Sequence, residues 1–398
     1  MLKSVVSITK ARRNPDSKEI EKAVRRGIGL IGGIEDIISS GDLVLINPSW
    51  VAPPADPESA VITCPEVSRA VADIVAEMGA EPVIAESSCV GVDTEKVIEN
   101  SGYNDLRNQG YKVVDLKKTP KVRIPIDNGY VLKEVETFEL VTQAHVIISV
   151  PKLKTHDQTE MTCSLKKMKG LESDKDKRRM HQVGIFRGIS DINTVFKPAL
   201  TVVDAILCQE GLGPIFGRPV EMDLVVTGKD PVSVDSICSQ IIGYKPEEVL
   251  VTKLAAECGL GVMDNEFIEV VGEKLEKVKR RFMRSIEDNP VQVEGFSLIY
   301  GGVTCTGCRN GVMSSLADMR RDNQLMYLPG VTVITGDPPV PVGTSKDSIV
   351  AVGQCVPAKK RGKRFVKGCP PNNVFIVQAI MGGRGKVTTS PRRCSRFF

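Results

Sequence analysis

Four cysteines towards the C-terminus have the types and spacing most able to do chemistry. Cys305 and Cys308 form a Cys-Thr-Gly-Cys element, Cys355 stands alone, and Cys369 sits within Lys367-Gly368-Cys369-Pro370-Pro371. Two thiolates three residues apart at the start of a helix can reach one metal or cluster, and the first helical N–H groups offset their charge. Cys355 follows a strand-like run, and residues just past strand ends of an α/β sheet gather at one edge. The set suits an iron–sulfur cluster with four thiolate ligands, taken as [4Fe-4S]. Zinc is the alternative cofactor, although structural zinc normally uses two close pairs or a pair with paired histidines. A redox dithiol at Cys305 and Cys308, or simply unliganded thiols, are the other readings.

A second constellation follows the strand-like run His145–Val150, in Pro151-Lys152-Leu153-Lys154-Thr155-His156. Extended backbone would project Lys152, Lys154 and His156 to one side. Thr159, Thr162, Lys166 and Lys169 recur at helical spacing, and His181 lies beyond Lys175, Lys177, Arg178 and Arg179. Lysines beside histidines can hold a carboxylate or phosphate and move a proton. The expected roles are Lys154, His156 and His181 in catalysis, with Lys152, Lys166 and Lys169 binding substrate. Glycines in Glu210-Gly211-Leu212-Gly213-Pro214 could turn backbone N–H groups inward as an anion cradle, so Glu210, Gly211 and Gly213 join the substrate set. Asp204 could bind a cation or a sugar hydroxyl. Neither a Walker-type nor a Gly-x-Gly-x-x-Gly motif is present, so nucleotide binding has no motif support.

The elements that must position these residues alternate between strand-like and helix-like runs, which predicts an α/β fold. A largely parallel sheet flanked by helices is expected over residues 1–289. A smaller α/β cluster-binding domain, basic and cysteine-containing, is expected over 290–398, with a linker around Arg284–Asn289 and Pro290. The pattern places strands at Leu43–Ile46, Val83–Ala85, Thr201–Ile206 and Phe267–Val271. Helices are expected at Pro65–Met78, Asp230–Ile242, Glu247–Cys258 and Lys274–Phe282. Beyond the linker the strands are Phe296–Tyr300, Val331–Thr335, Ile349–Val352 and Val374–Val377, with a helix after Cys308.

Composition narrows the class. The chain is 398 residues long, 41% hydrophobic and has eleven cysteines, an odd count that fits metal or redox use in a reducing compartment better than a disulfide framework. No run approaches the ~20 apolar residues of a membrane helix, and the start lacks the apolar core of a signal peptide. A cytoplasmic protein with no membrane partner is expected. Eleven Lys or Arg and no acidic residue lie between Ile349 and Phe398, leaving 42 basic against 49 acidic groups before them. Such an end faces an anionic partner: the cluster itself, or an acidic protein or electron donor. Nucleic acid is disfavoured, because aromatic platforms beyond Phe365, Phe397 and Phe398 are missing from the basic segment.

Many of these residues together resemble the DUF362 family. The likeness runs through Pro151-Lys152-Leu153-Lys154-Thr155-His156, Leu165-Lys166, Lys169-Gly170, Asp191-Ile192, Val203-Asp204, Glu210 to Gly217, and Gly228-Lys229-Asp230-Pro231. Pro65-Glu66-Val67, Gly79-Ala80, Glu86-Ser87-Ser88 and Ile268 to Glu273 extend it over roughly residues 1–285. The family's usual Leu-Lys-Asn reads Leu165-Lys166-Lys167 here. The resemblance implies architecture, and an oxygen-sensitive iron–sulfur protein, more than an activity. Residues 290–398 stand where many members carry a ferredoxin-type segment. The expected function is an iron–sulfur enzyme, oxidoreductase or lyase/isomerase, acting on a small anionic substrate bound between the domains. An iron–sulfur carrier or accessory electron-transfer protein docking an acidic partner is the alternative.

Overall fold

The computed structural model describes residues 3–11, 16–54, 57–287 and 291–383. Its strands are β1 (Ser4–Lys10), β2 (Leu43–Pro48), β3 (Glu81–Glu86), β4 (Val113–Asp115), β5 (Lys121–Pro125), β6 (Glu134–Phe138), β7 (Val146–Val150), β8 (Lys152–His156) and β9 (Glu160–Thr162). They continue with β10 (Leu200–Glu210), β11 (Arg218–Gly228), β12 (Ile268–Gly272), β13 (Ser297–Tyr300), β14 (Thr332–Thr335), β15 (Ile349–Val352) and β16 (Arg364–Val366). The large sheet runs in the order β12-β1-β11-β10-β7-β2-β3-β4, with β8 and β9 branching from β10. It is largely parallel. Only β11 in that path is antiparallel to its neighbours, β1 and β10.

Both faces of this sheet are buried, as a parallel sheet requires. Val44 and Ile46 of β2 join one apolar layer while Leu45 joins the other, which is the strand alternation at work. Helices Ser17–Leu30 and Pro65–Glu77 cover the first face. The first starts at Asp16, whose side chain accepts the Glu19 N–H, and the second carries proline at its start. Helices Ile185–Asn193, Pro231–Ile241 and Leu250–Glu257 cover the other face.

The second sheet, β13-β14-β15-β16, is parallel throughout. Val312 and Leu316 of helix Thr306–Arg321, with Ile376 and Ile380 of helix Asn373–Met381, pack on Val333, Val350 and Val352. The expected α/β class with a second, smaller sheet is what the chain adopts. Of the expected linker, Arg284 to Glu287 is described and holds the helical turn Ser285–Glu287, where buried Ser285 donates to the Gly211 carbonyl; residues 288–290 lie outside the described residues, as do the last five cations of the basic end, Arg384 to Arg396. Among the described residues no helix is long and apolar enough to cross a membrane.

Three local expectations are corrected. Val374–Val377 is helical, inside Asn373–Met381, whose first turn is closed by the Asn372 side chain accepting the Val374 N–H. Lys274–Phe282 holds only the single turn Leu275–Val278. The run from Thr159 to Lys169 is not one helix. It divides into β9, helix Ser164–Lys167 and a tight turn Met168–Leu171, because the buried Asp235 carboxylate accepts the Ser164 N–H at 2.7 Å and starts the helix there.

Candidate functional site

The four cysteines reach one place by different routes. Cys305 precedes helix Thr306–Arg321 and Cys308 lies in its first turn. The Cys308 thiol donates to Cys305, and with the N–H groups of Cys308 and Gly307 it pulls the Cys305 thiol down to about 6. Cys308 keeps the proton of the pair: its bond to Cys305, burial, and the charges of Cys369 and Cys355 push it far up. Cys355 is exposed, just past β15. Before it, Gly353 has φ +95°, and a Cβ there would stand 2.7 Å from the Cys308 sulfur, so only glycine lets this loop close over the thiol. Burial and then Cys305 and Cys355 push the Cys369 thiol up to about 11. All four thiols thus feel one another. Among the described residues no three His, Cys, Asp or Glu side chains are arranged to hold a single metal ion.

This quartet lies on the seam with the large sheet. The Cys369 N–H donates to the His181 carbonyl at 3.1 Å, and the Cys369 carbonyl accepts the Ile185 N–H at 2.9 Å. Asn373 donates to Asp157 at 3.1 Å, Gln158 to the Pro371 carbonyl at 3.3 Å, and Asn310 to Glu160 at 3.2 Å. Gly307 fits closely under Phe186 and the Gln158 carbonyl. The loop 156–160 and the His181 turn are therefore built against the cysteine-bearing unit.

Behind the seam is a cluster of buried and half-buried lysines near the carboxyl ends of β2, β3 and β7, the edge where ligands of parallel sheets commonly bind. Fully buried Lys154 donates to the carbonyls of Val61 (2.5 Å) and Pro214 (3.3 Å). Burial, helped by Lys166, holds its ammonium well below the usual range. Burial also brings Lys166 to about 8 and Lys177 to about 7, and lowers Lys169. His156 falls to about 4 and His181 to about 3, through burial and then the charges of Lys166 and Lys169 respectively. Both imidazoles are neutral at pH 7, and proton exchange near that pH rests with the lysines and one carboxyl. That carboxyl is Glu172, fully buried, with neither oxygen hydrogen-bonded. Burial raises it to about 7 against the pull of Lys169 and Lys177.

Other expected site residues are placed differently. Lys152 and Asp204 form a buried ion pair with each other at 2.5 Å, and Asp204 also accepts the Cys64 N–H. The glycine loop does not turn its amides towards an anion. The Gly211 N–H donates to the Met283 carbonyl and the Gly213 N–H to the Gly211 carbonyl, while Glu210 accepts the Met283 N–H. Its glycines serve close packing: a Cβ at Gly213 would stand 2.0 Å from the Thr155 carbonyl. The basic run is largely engaged as well. Lys360 pairs with Asp337, Lys363 with Asp347, and Arg361 donates to the Val356 and Gln354 carbonyls. Glu172 and Lys177 belong to the lysine cluster but carry no motif. Only Glu86-Ser87-Ser88 before Cys89 hinted at them.

Glu172 makes a pH prediction. Its carboxyl titrates at 4.5 in the absence of the fold and about 7 within it, so the folded chain holds the extra proton between those values. The stabilisation is complete below pH 4.5 and is lost as pH rises through 7. Glu172→Gln should remove up to about 3 kcal/mol of that decline, read as the difference in urea-unfolding free energy between pH 4.5 and 7. An unchanged slope would mean that Glu172 ionises normally.

A thylakoid-associated protein of Synechocystis sp. is 28% identical over 244 residues, 58% of this chain and 72% of that one. The lactate racemase apoprotein from Thermoanaerobacterium thermosaccharolyticum aligns with 98% of this chain and 93% of its own, at a TM-score of 0.41 and 11% identity. Residues 44–240, which include Lys154, Lys166, Lys169 and Lys177 and none of the four seam cysteines, match the family model described as Domain of unknown function (DUF362).

Proposed function

We propose that this chain is an iron–sulfur enzyme. In this reading Cys305, Cys308, Cys355 and Cys369 hold a [4Fe-4S] cluster, and the adjoining lysine cluster takes a small carboxylate or phosphate substrate. What supports it is that thiols from three stretches of the chain, Cys305 with Cys308, Cys355 and Cys369, influence one another electrostatically beside the seam where the Cys369 backbone bonds to His181 and Ile185. A polynuclear cluster keeps its ligand sulfurs apart by its own inorganic core, so three donors need not point at one spot. When bound, it would supply electron transfer or Lewis-acid chemistry. Lys166 and Lys169, partly exposed, would bind the anion, with buried Lys154 and Lys177 behind them. Neutral His156 and His181 would orient it, and Glu172 or Lys177 would exchange the proton.

The second reading is an electron carrier docking an acidic protein, and the exposure of Cys355 favours it because one ligand would reach the surface. Anaerobic purification with iron, sulfide and zinc analysis tests the shared premise; about four irons and four sulfides per chain are expected for a [4Fe-4S] centre. A zinc-loaded or iron-free chain would end both readings. Calorimetric titration with phosphate and malonate separates them. Binding that Lys166→Gln weakens marks the enzyme, and no binding by either anion leaves the carrier.

A further inference from the structure

Cys355 is the exposed member of the cysteine quartet, and three pieces of chain meet at its loop. The Gln354 N–H donates to the Gly368 carbonyl at 3.1 Å and the Gly353 N–H to the Val366 carbonyl, so the Cys355 and Cys369 loops lie side by side. The Gln354 side chain donates to the Gln182 carbonyl at 2.9 Å, in the last turn of helix Asp174–Val183. On that helix Lys175, Arg178 and Gln182 stand at the spacing of one stripe, and all three are exposed. The large domain thus brings two cations to the edge at which Cys355 opens.

The loops add three more. Lys359 and Lys367 are exposed, and Arg361 folds the turn Ala358–Lys360 back by donating to the carbonyls of Val356 and Gln354. Asp337 and Asp347 already pair with Lys360 and Lys363, and no acidic residue follows Asp347 in the chain. Among the described residues Lys175, Arg178, Lys359, Arg361 and Lys367 have no ion-pair partner. Like charges gathered this way repel one another unless an anionic surface meets them. None of the exposed large apolar side chains among the described residues lies in the helix Asp174–Val183 or in the loops 353–369. A face that is charged rather than apolar suits a transient, electrostatically steered encounter and not a permanent interface.

We infer that this face is the docking surface for an acidic protein that carries one electron, seated over Cys355. The inference rests on the iron–sulfur reading of the quartet and names the partner of that centre. One electron passes from the reduced carrier to the cluster, with no bond made or broken.

The test measures association of the anaerobically purified full chain with immobilised flavodoxin and with a plant-type ferredoxin, both acidic one-electron carriers, by biolayer interferometry. Both should bind, and raising the salt from about 20 to about 200 mM should slow association steeply. Cytochrome c, a basic carrier, should not bind. Lys175→Gln with Arg178→Gln, and separately Lys359→Gln with Lys367→Gln, should each slow association roughly tenfold, within the range of electrostatic steering. Lys22→Gln with Arg26→Gln, exposed cations of helix Ser17–Leu30, should change nothing. Acetylation mapped by peptide mass spectrometry should show Lys175, Lys359 and Lys367 shielded by the carrier and Lys22 unshielded. An iron-loaded chain that binds neither acidic carrier, or loses as much with the Lys22 and Arg26 pair, would overturn the docking face and leave the cluster standing. Duplex DNA that associates as fast as the carriers would mark an unselective polyanion surface and overturn it too. An iron-free chain would remove the cluster reading and this docking role with it.

Discussion

Cys308→Ser is expected to yield a folded chain with almost no bound iron or sulfide and no visible absorption. A serine hydroxyl at neutral pH is a poor replacement for a thiolate towards iron, and the thiol at 308 is the most enclosed of the four. Its sulfur sits beneath Gly353 and against Cys305, so no water or neighbouring side chain can move in as a substitute ligand. Cys258→Ser is the matched comparison. That thiol is partly exposed, lies near Arg187 rather than the seam, and its loss should leave iron content unchanged. Equal iron in the two variants would mean that the seam does not hold the cluster. Thermal unfolding of both proteins without metal guards against confusion with misfolding, because the sulfur-to-oxygen change alone creates no cavity.

That the four cysteines come near one another could be anticipated, because each lies beside a strand-like run and parallel strands deliver such residues to one edge. The lysine–histidine run after β7 lies at such an edge for the same reason. The shifted groups beside it carried no such signal. Glu172 and Lys177 look like members of an ordinary charged stretch, and only burial in the folded chain moves their titration towards neutrality. The glycine loop after β10 misled in the opposite sense. Its glycines suggest an anion cradle, but Gly213 is required by the close approach of Thr155, and the Gly211 and Gly213 amides are already paired. At Val374–Val377 a short apolar run carried no period, and the Asn372 cap was the overlooked signal for a helix.

Lys167 gives the largest expected stability effect. Its ammonium is buried and donates to the Asn47 side chain at 2.7 Å and to Glu86. Glu86 is equally enclosed, and Gly170 packs so closely on its carboxylate that no side chain fits between. Lys167→Met keeps the apolar stem and removes the charge, leaving Glu86 with only the Asn47 amide as a side-chain partner. A buried carboxylate stripped of its cation should cost about 3–5 kcal/mol, seen as a fall in the urea midpoint at pH 7. Acidification should return part of the loss, because a protonated Glu86 tolerates burial. Adding Glu86→Gln to Lys167→Met should also recover a large share, since the orphaned charge is what destabilises. If the double variant is no more stable than the single one, the cost lies in how the substituted side chain packs rather than in the ion pair, and Lys167 is then held by shape and not by charge.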